Sequence, residues 1–476
     1  MNKKLFLVNT NLMKPLIAPI GLDYVAEAAA AQGFDVDIID LALADDPDEL
    51  LEKTFKSEQP ALTGVTVRNI DDCYMASALS FVPDMARWVN KIRALSDAPI
   101  VLGGVGYSVD PVSVLDALGA DYGIRGDGEV AVAELARRVS SGADVSDIPG
   151  LIYRDGDITV ENPPIAVDLE SVTPRRREFV DNASYFRLGG QGSIETKRGC
   201  AAGCVYCADP VAKGRNVRLA PPENVVDEME ALYRRGVDVL HTCDSEFNLP
   251  VEHAEKICDC LIRRGTGDRV KWYAYLCPAP FSKPLATKMK RAGCVGINFG
   301  ADSAHPLILK KLGRKYSKED IETAVSECRG AGIKVMLDLL IGGPGENIET
   351  VKQSIESVKK MDPDRIGISL GVRLFRGTLI SRMVADKKLD VIRPREYPDE
   401  SLMYPAFYMS PELGENAEDI VSDIVDNDPR FFFADKKKED RNYNYNDNRV
   451  LVEAIRDGHR GAYWDILRKL AERASD

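Results

Sequence analysis

Lys197-Arg-Gly-Cys-Ala-Ala-Gly-Cys-Val-Tyr-Cys-Ala-Asp209 carries three cysteines, Cys200, Cys204 and Cys207, in the spacing C-x3-C-x2-C. The run follows an alternating stretch, Ser193–Thr196, that reads as a strand. Three thiolates in one short loop can hold three irons of a four-iron cluster. Such clusters are ordinarily held by four thiolates. The fourth iron is then open to a substrate or cofactor, as in catalytic rather than structural metal sites. Two plainer readings compete: unrelated buried thiols, or most of a zinc site completed by a distant His or Cys. Gly199 and Gly203 allow close backbone approach within the loop, and Tyr206 stands between the last two thiols.

Outward from this loop, strand-like and helical patterns alternate. Downstream of Ser193–Thr196, the runs Val237–His241, Val270–Tyr275, Val295–Phe299, Ile333–Ile341 and Arg365–Val372 read as strands separated by helices. Six such units fit a partial parallel α/β barrel, whose catalytic residues lie at the carboxyl ends of the strands. Those ends carry Cys243-Asp-Ser-Glu-Phe-Asn248, Gly300-Ala-Asp-Ser303 and Met336-Leu-Asp-Leu-Leu-Ile-Gly-Gly-Pro-Gly-Glu346. Asp338 inside an apolar strand is costly unless paired. Cys243 and Cys277, also at strand ends, could either face substrate or, the plainer reading, be buried inert thiols, and Cys258 and Cys260 point apart on one helix.

Upstream, Leu5–Val8, Val36–Ile39, Leu62–Val67, Ile100–Leu102 and Tyr122–Ile124 alternate with amphipathic stretches such as Gly21–Gln32 and Ala76–Leu95. This is the pattern of an α/β, Rossmann-like doubly wound sheet, whose ligands bind beyond the carboxyl ends of its strands. The loops there read Asn9-Thr-Asn-Leu12, Arg68-Asn-Ile-Asp71, Gly103-Gly-Val-Gly-Tyr107 and Arg125-Gly-Asp-Gly-Glu129. Small residues at two consecutive ends let a bulky, flat ligand lie against the backbone; an ordinary glycine turn or a nucleotide site is the alternative.

At 476 residues the chain is expected to form two or three domains. Residues 1–150 are assigned to the first, 151–190 to a connector with an Asp-Gly hairpin, and 191–385 to the barrel. Residues 386–476 form a mostly α-helical cap over the barrel mouth, with the aromatic runs Arg430-Phe-Phe-Phe433, Asn442-Tyr-Asn-Tyr-Asn446 and His459-Arg-Gly-Ala-Tyr-Trp464. A net charge of −13 argues against a nucleic-acid partner. The first apolar run, Leu5–Val8, is too short for a signal or membrane segment. Ten cysteines in clustered spacing point to a reducing cytoplasm.

The cysteine motif with its aromatic residue resembles the signature of the radical S-adenosylmethionine enzymes. Pro19-Ile-Gly-Leu22, Gly103-Gly104 and Arg125-Gly-Asp-Gly-Glu129 resemble the cobalamin-binding domain that precedes many of them. The resemblance implies a [4Fe-4S] cluster on Cys200, Cys204 and Cys207, with S-adenosylmethionine contacted by Tyr206, Asp302, Arg314, Asp338 and a carboxylate after the second strand. Asp244 and Glu246 both qualify for that last place. It implies cobalamin against Thr10, Leu12, Arg68, Asn69, Gly103, Gly104, Gly126, Gly128 and Glu129. None of the four histidines lies in the first 240 residues. No imidazole of this domain can therefore ligate cobalt, and Arg68, always protonated, faces it instead. The implied activity is C-methylation: a 5′-deoxyadenosyl radical takes hydrogen from an unactivated carbon, which then accepts methyl from cobalamin. The alternative keeps the cofactors but performs a rearrangement, cyclisation or oxidation. A low-potential electron donor is expected. The substrate is left open between a peptide or protein side chain, a lipid and a small natural product; no residue is assigned as general acid or base, and no membrane partner is expected.

Overall fold

The computed structural model describes residues 2–172, 175–433 and 444–473. Leu5, Phe6, Leu7 and Val8 are all buried in β1 (Lys4–Asn9), and they serve two cores. Phe6 and Val8 pack with Trp88 and Ile92, while Leu5 and Leu7 pack with Ala26 and Leu135. A strand apolar on both faces belongs to a parallel sheet covered by helices on both sides. The partners are β2 (Asp35–Asp40), β3 (Leu62–Thr66), β4 (Ile100–Gly103) and β5 (Tyr122–Ile124), in the parallel order β2-β1-β3-β4-β5. Strand order reverses between β1 and β3, the place where doubly wound sheets bind ligands.

Two details differ from the sequence reading. The helix expected from Ala76 begins at Val82, because Asp72 gathers the preceding turn around its carboxylate, accepting from Tyr74 N, Ser77 Oγ and Leu79 N. The Asp-Gly hairpin is not a free connector. Its strands β6 (Leu151–Asp155) and β7 (Ile158–Glu161) add antiparallel to β5 and extend the first sheet to seven strands. The connector residue Pro174 lies outside the described residues.

The second sheet begins with β8 (Gly192–Ile194). A small hairpin of β9 (Lys197–Arg198) and β10 (Arg218–Leu219) then brackets the cysteine loop. Next come β11 (Val239–Thr242), β12 (Lys271–Leu276), β13 (Cys294–Asp302), β14 (Lys334–Ile341) and β15 (Arg365–Leu370). All pair in parallel in the order β8-β11-β12-β13-β14-β15, an open barrel of the expected six strands. Ile297, Phe299, Leu337, Leu339, Ile366 and Ile368 face the outer helices. Ser317 and Asn347 start two of those helices with reciprocal capping boxes.

The described residues of the 386–476 segment are distributed over several places rather than one lid. After a two-stranded ladder of β16 (Val372–Arg373) with β17 (Phe407–Tyr408), the segment contributes β18 (Phe431–Phe432), a seventh strand beside β15. Helix Tyr463–Arg473 drives Trp464, Ile466 and Leu467 against Tyr273 and Met336, inward residues in the amino-terminal halves of their strands. It therefore fills the barrel floor. Further along, Asp447 N donates to Lys14 O, and Asn444 reaches Asp72, so this stretch rises to the first domain. Asn442 and Tyr443 lie outside the described residues.

Candidate functional site

The cysteine loop is held shut at its base. Gly199, at φ +91°, lies so close to Asn216 O that any Cβ would collide, and Cys200 N donates to Gly214 O at 3.1 Å. The loop is also tied to the segment after β13. Val205 N donates to Leu312 O at 3.0 Å, and Gly313, at φ +78°, presses against Gly203 O. This close approach of two glycines brings Arg314 over the thiols. Its Nη1 is 3.1 Å from Cys204 Sγ and 3.6 Å from Glu246 Oε1, its Nε donates to Asp302 Oδ2 at 2.5 Å, and its Nη2 donates to Tyr206 OH at 2.8 Å. Tyr206 in turn donates to Asp302 Oδ2 at 2.7 Å.

Cys200, Cys204, Cys207, Tyr206, Glu246 and Arg314 thus line one pocket at the carboxyl ends of the strands, where Ser245 donates to Asp209. Burial pushes the Cys204 thiol up to about 11 and Cys207 to about 12. Glu246 is driven up to about 7 by burial, with Arg314 opposing. The three thiols share a pocket, yet among the described residues no three His, Cys, Asp or Glu side chains are placed to hold a single metal ion. Three thiols lining one pocket with room beside them fit a cluster that keeps a position for a further ligand.

Asp244 and Glu246 separate. The Asp244 carboxylate is buried and accepts from Thr196 N at 2.8 Å, Thr196 Oγ1 at 2.5 Å and Lys197 N at 3.2 Å, so it braces the strand before the cysteines. Glu246 faces the pocket. Asp302 closes β13 at φ +56°, beyond a register shift after Gly300; this strained conformation turns its carboxylate toward Arg314. Asp338 lies on β14, one level deeper, close to Tyr275 and Tyr445.

In the first domain, Thr10 Oγ1 donates to Thr66 O at 2.8 Å and ties the ends of β1 and β3 together. Asn69 Nδ2 rests 3.7 Å from Met13 Sδ. A Cβ on Gly103 would meet nothing within 4 Å, whereas one on Gly104, at φ +107°, would strike Val67 O. Leu12, Val105 and Val130, all beyond strand ends of this sheet, are 40 %, 44 % and 53 % exposed. Open space over Gly103 beside such an apolar rim fits a flat macrocycle. Arg68 points toward Cys243, Tyr185 and Tyr463; burial pulls its guanidinium down, and among the described residues no carboxylate pairs with it. Gly126 turns at φ +88°, and Gly128 packs near Val25.

Glu129 serves another purpose: with Asp127 it holds Arg198, at 2.9 and 2.7 Å, which directly precedes the cysteine loop. The site also includes residues that motif reading passed over. Arg198 and Asp127 could have been found only by pairing two distant loops. His241, Tyr275 and Asn298 carried a legible signal, as polar groups at alternate positions of barrel strands.

Comparison with known proteins places this geometry. Residues 194–358 match the radical SAM superfamily, and residues 8–136 match the B12 binding domain. Tryptophan 2-C-methyltransferase of Streptomyces laurentii is 33 % identical over 444 residues, covering 80 % of this chain and 74 % of the relative. TsrM of Kitasatospora setae, a radical S-adenosylmethionine methyltransferase solved with tryptophan and an S-adenosylmethionine analogue, superposes with a TM-score of 0.92 at 32 % identity over all of both chains. The cobalamin-dependent enzyme OxsB shares the fold, with a TM-score of 0.70 at 17 % identity over 86 % of this chain and 64 % of that one. TsrM has also been solved with cobalamin and a [4Fe-4S] cluster. Two domain matches in the right order and a third of the residues shared with such an enzyme establish that the chain belongs to the cobalamin-dependent radical S-adenosylmethionine methyltransferases, with cobalamin, a [4Fe-4S] cluster and S-adenosylmethionine as cofactors.

Proposed function

We propose that the chain methylates a ring carbon of a small aromatic amino acid of the tryptophan type. The observation that carries this reading is the full-length likeness to TsrM, whose tryptophan-bound structure superposes at a TM-score of 0.92. It is supported by the lumen below the cysteine pocket, lined by the rings of His241, Tyr275 and Tyr445. A lipid or a protein side chain fits that enclosed, aromatic space less well.

Cys200, Cys204 and Cys207 hold the cluster. Glu246, rather than Asp244, supplies the carboxylate facing S-adenosylmethionine, because Asp244 is spent on Thr196 and Lys197. Arg314, fixed by Tyr206 and Asp302, presents a positive edge to the methionine carboxylate, and Asp338 stands deeper as an acceptor. Thr10, Leu12, Asn69, Gly103, Gly104, Gly126 and Gly128 form the cobalamin face, with Glu129 acting through Arg198. Arg68, whose guanidinium has no free nitrogen lone pair, would stand at the cobalamin face without serving as a ligand to its metal. The bound cofactors supply a transferable methyl group and, on one-electron reduction, a 5′-deoxyadenosyl radical. The chain's own part is to place the accepting carbon within contact distance and keep water out. Residues 386–476 contribute to this through Tyr445. A cytoplasmic setting with a low-potential electron donor completes the reading.

Hydrogen abstraction suits an unactivated carbon; a ring carbon can instead release a proton as the methyl arrives. Anaerobic turnover of the reconstituted enzyme with tryptophan distinguishes these cases. Methylated product with S-adenosylhomocysteine alone indicates polar transfer, and one 5′-deoxyadenosine per product indicates the radical route. No methylated product from tryptophan or other indoles refutes the substrate assignment, and rearranged or oxidised product alone refutes methyl transfer.

A further inference from the structure

The hairpin that brackets the cysteine loop sets two arginines against each other. Arg198 of β9 stands directly opposite Arg218 of β10, and like charges in that position destabilise a strand pair. Arg198 has Glu195 and Glu129 as partners, at 2.8 and 2.9 Å. Arg218 pairs with a single carboxylate among the described residues, that of Asp127 in the loop after β5. The other oxygen of the same carboxylate takes Arg198 at 2.7 Å. Asp127 is thus the counter-charge shared by both strands, and it comes from the other domain. The three side chains are only 6 %, 11 % and 15 % exposed, so water and salt screen them little.

The two arginines sit at the base of the cysteine loop. Cys200 lies two residues after Arg198, and its N–H donates to the carbonyl of Gly214, four residues before Arg218. From Asp127 a short hydrogen-bonded path also leads back to the ligand face of the first sheet. Gly126 N donates to Ser108 Oγ at 3.0 Å, and Ser108 Oγ donates to Gly104 O at 2.9 Å. A second tie runs in parallel: the short helix Val105–Val109 packs against Asp209–Ala212, which begins two residues after Cys207. The 103–109 loop therefore reaches the cysteine loop at its base and again just beyond its last thiol.

We infer that Asp127 is a positioning residue that couples the two cofactor sites. A macrocycle seated over Gly103 and Gly104 fixes Ser108 and Gly126, and Asp127 then holds the cysteine loop closed by its two arginines. Such coupling is reciprocal: a loaded cluster tightens cobalamin binding by the factor with which cobalamin tightens the cluster. The inference rests on the reading that cobalamin lies over these glycines, and adds a dependence between the sites. It asks no contact of Asp127 with either cofactor.

The test titrates cobalamin anaerobically into the full chain with its cluster loaded and into the cluster-free chain, following tryptophan fluorescence. The wild type is expected to bind cobalamin about fivefold or more tighter when the cluster is present. Asp127→Asn keeps the shape but not the charge, and should bring the two affinities within about twofold of each other. The electron paramagnetic resonance of the reduced cluster should respond to cobalamin in the wild type and not in the variant. If Asp127→Asn fails to load a cluster, Arg218→Gln breaks the same clasp from the barrel side and gives the same comparison. A merely structural Asp127 would weaken both forms alike and preserve their ratio, which overturns the inference. Gly103→Leu, which fills the space above the sheet end, checks the underlying reading. If that variant binds cobalamin as the wild type does, the placement of cobalamin falls and the inference with it. If it loses cobalamin while the wild type binds cobalamin equally with and without a cluster, the inference alone falls.

Discussion

Asp244 and Glu246 stand two residues apart after β11 and do different work. Removing the Asp244 side chain strips acceptors from two backbone N–H groups and one hydroxyl. Asp244→Ala is expected to cost about 2–4 kcal/mol in urea unfolding and to lower iron content, because the strand feeding the cysteines loosens. Glu246→Gln is expected to leave unfolding nearly unchanged, since burial already works against its charge, and to weaken S-adenosylmethionine binding at least tenfold by calorimetry. Equal effects of the two substitutions would refute this division. The cysteines themselves are tested by replacing Cys200, Cys204 and Cys207 with Ala together. Iron and sulfide should vanish while cobalamin stoichiometry holds; a retained cluster would remove the ligand assignment. At this scale the sequence disclosed residue type and rim position, which is why both carboxylates qualified. It could not disclose that Thr196 claims one of them, because that bond joins positions 48 residues apart.

Strands were the most legible elements. The runs of β1, β12 and β14 are apolar or alternate cleanly, and burial follows them closely. What escaped were short or late pieces whose partner decides their state. The 151–161 hairpin was evident as a hairpin, but its docking on β5 depends on a strand edge needing cover. Phe431 and Phe432 pair only because β15 offers an edge. The turn after β14 has a pH signature of its own. Glu346 is 1 % exposed, accepts from Gly342 N at 2.6 Å and Gly343 N at 3.0 Å, and burial raises it to about 7. A raised folded-state value means that the folded chain holds this proton more tightly than the unfolded chain. The stabilisation is complete below the ordinary carboxylate value of about 4.5 and is lost as pH rises through about 7. Glu346→Gln should therefore gain on the wild type by up to about 3 kcal/mol at pH 8 and by little at pH 4.5, read from urea midpoints. A gap that does not change with pH would show that Glu346 carries its charge without penalty.

At the scale of the whole molecule, the two sheets must face each other with their strand ends converging, and a buried charge cluster fixes that relation. Arg177 is fully buried between them. Its Nε donates to Asp23 of the first domain at 2.8 Å, its Nη1 to Glu228 of the barrel's outer helix at 3.0 Å and to Ser193 O at 2.8 Å, and its Nη2 to Asn182 at 2.9 Å. Tyr24 closes the circle with a 2.7 Å bond to Glu228. The sequence showed Arg177 only as one of three consecutive arginines in a connector, since a charge run reads as solvated until its partners are known. Buried ion pairs are weak evidence for stability but strong sites of damage, because a lost partner leaves a desolvated charge behind. Arg177→Leu strands both Asp23 and Glu228, and is expected to cost about 3–5 kcal/mol. Arg177→Met combined with Asp23→Leu and Glu228→Met removes these three charges, leaves the neighbouring Arg175 to Glu195 at 3.4 Å, and should recover part of that loss. The network's role in orientation then appears in a different measurement. Cobalamin binding is expected to raise the melting of both domains together in the wild type, and that of the first domain alone in the variant without these three charges. If the barrel's melting still follows cobalamin there, the domains are locked by their apolar contacts, and the arginine cluster only fills the space between them.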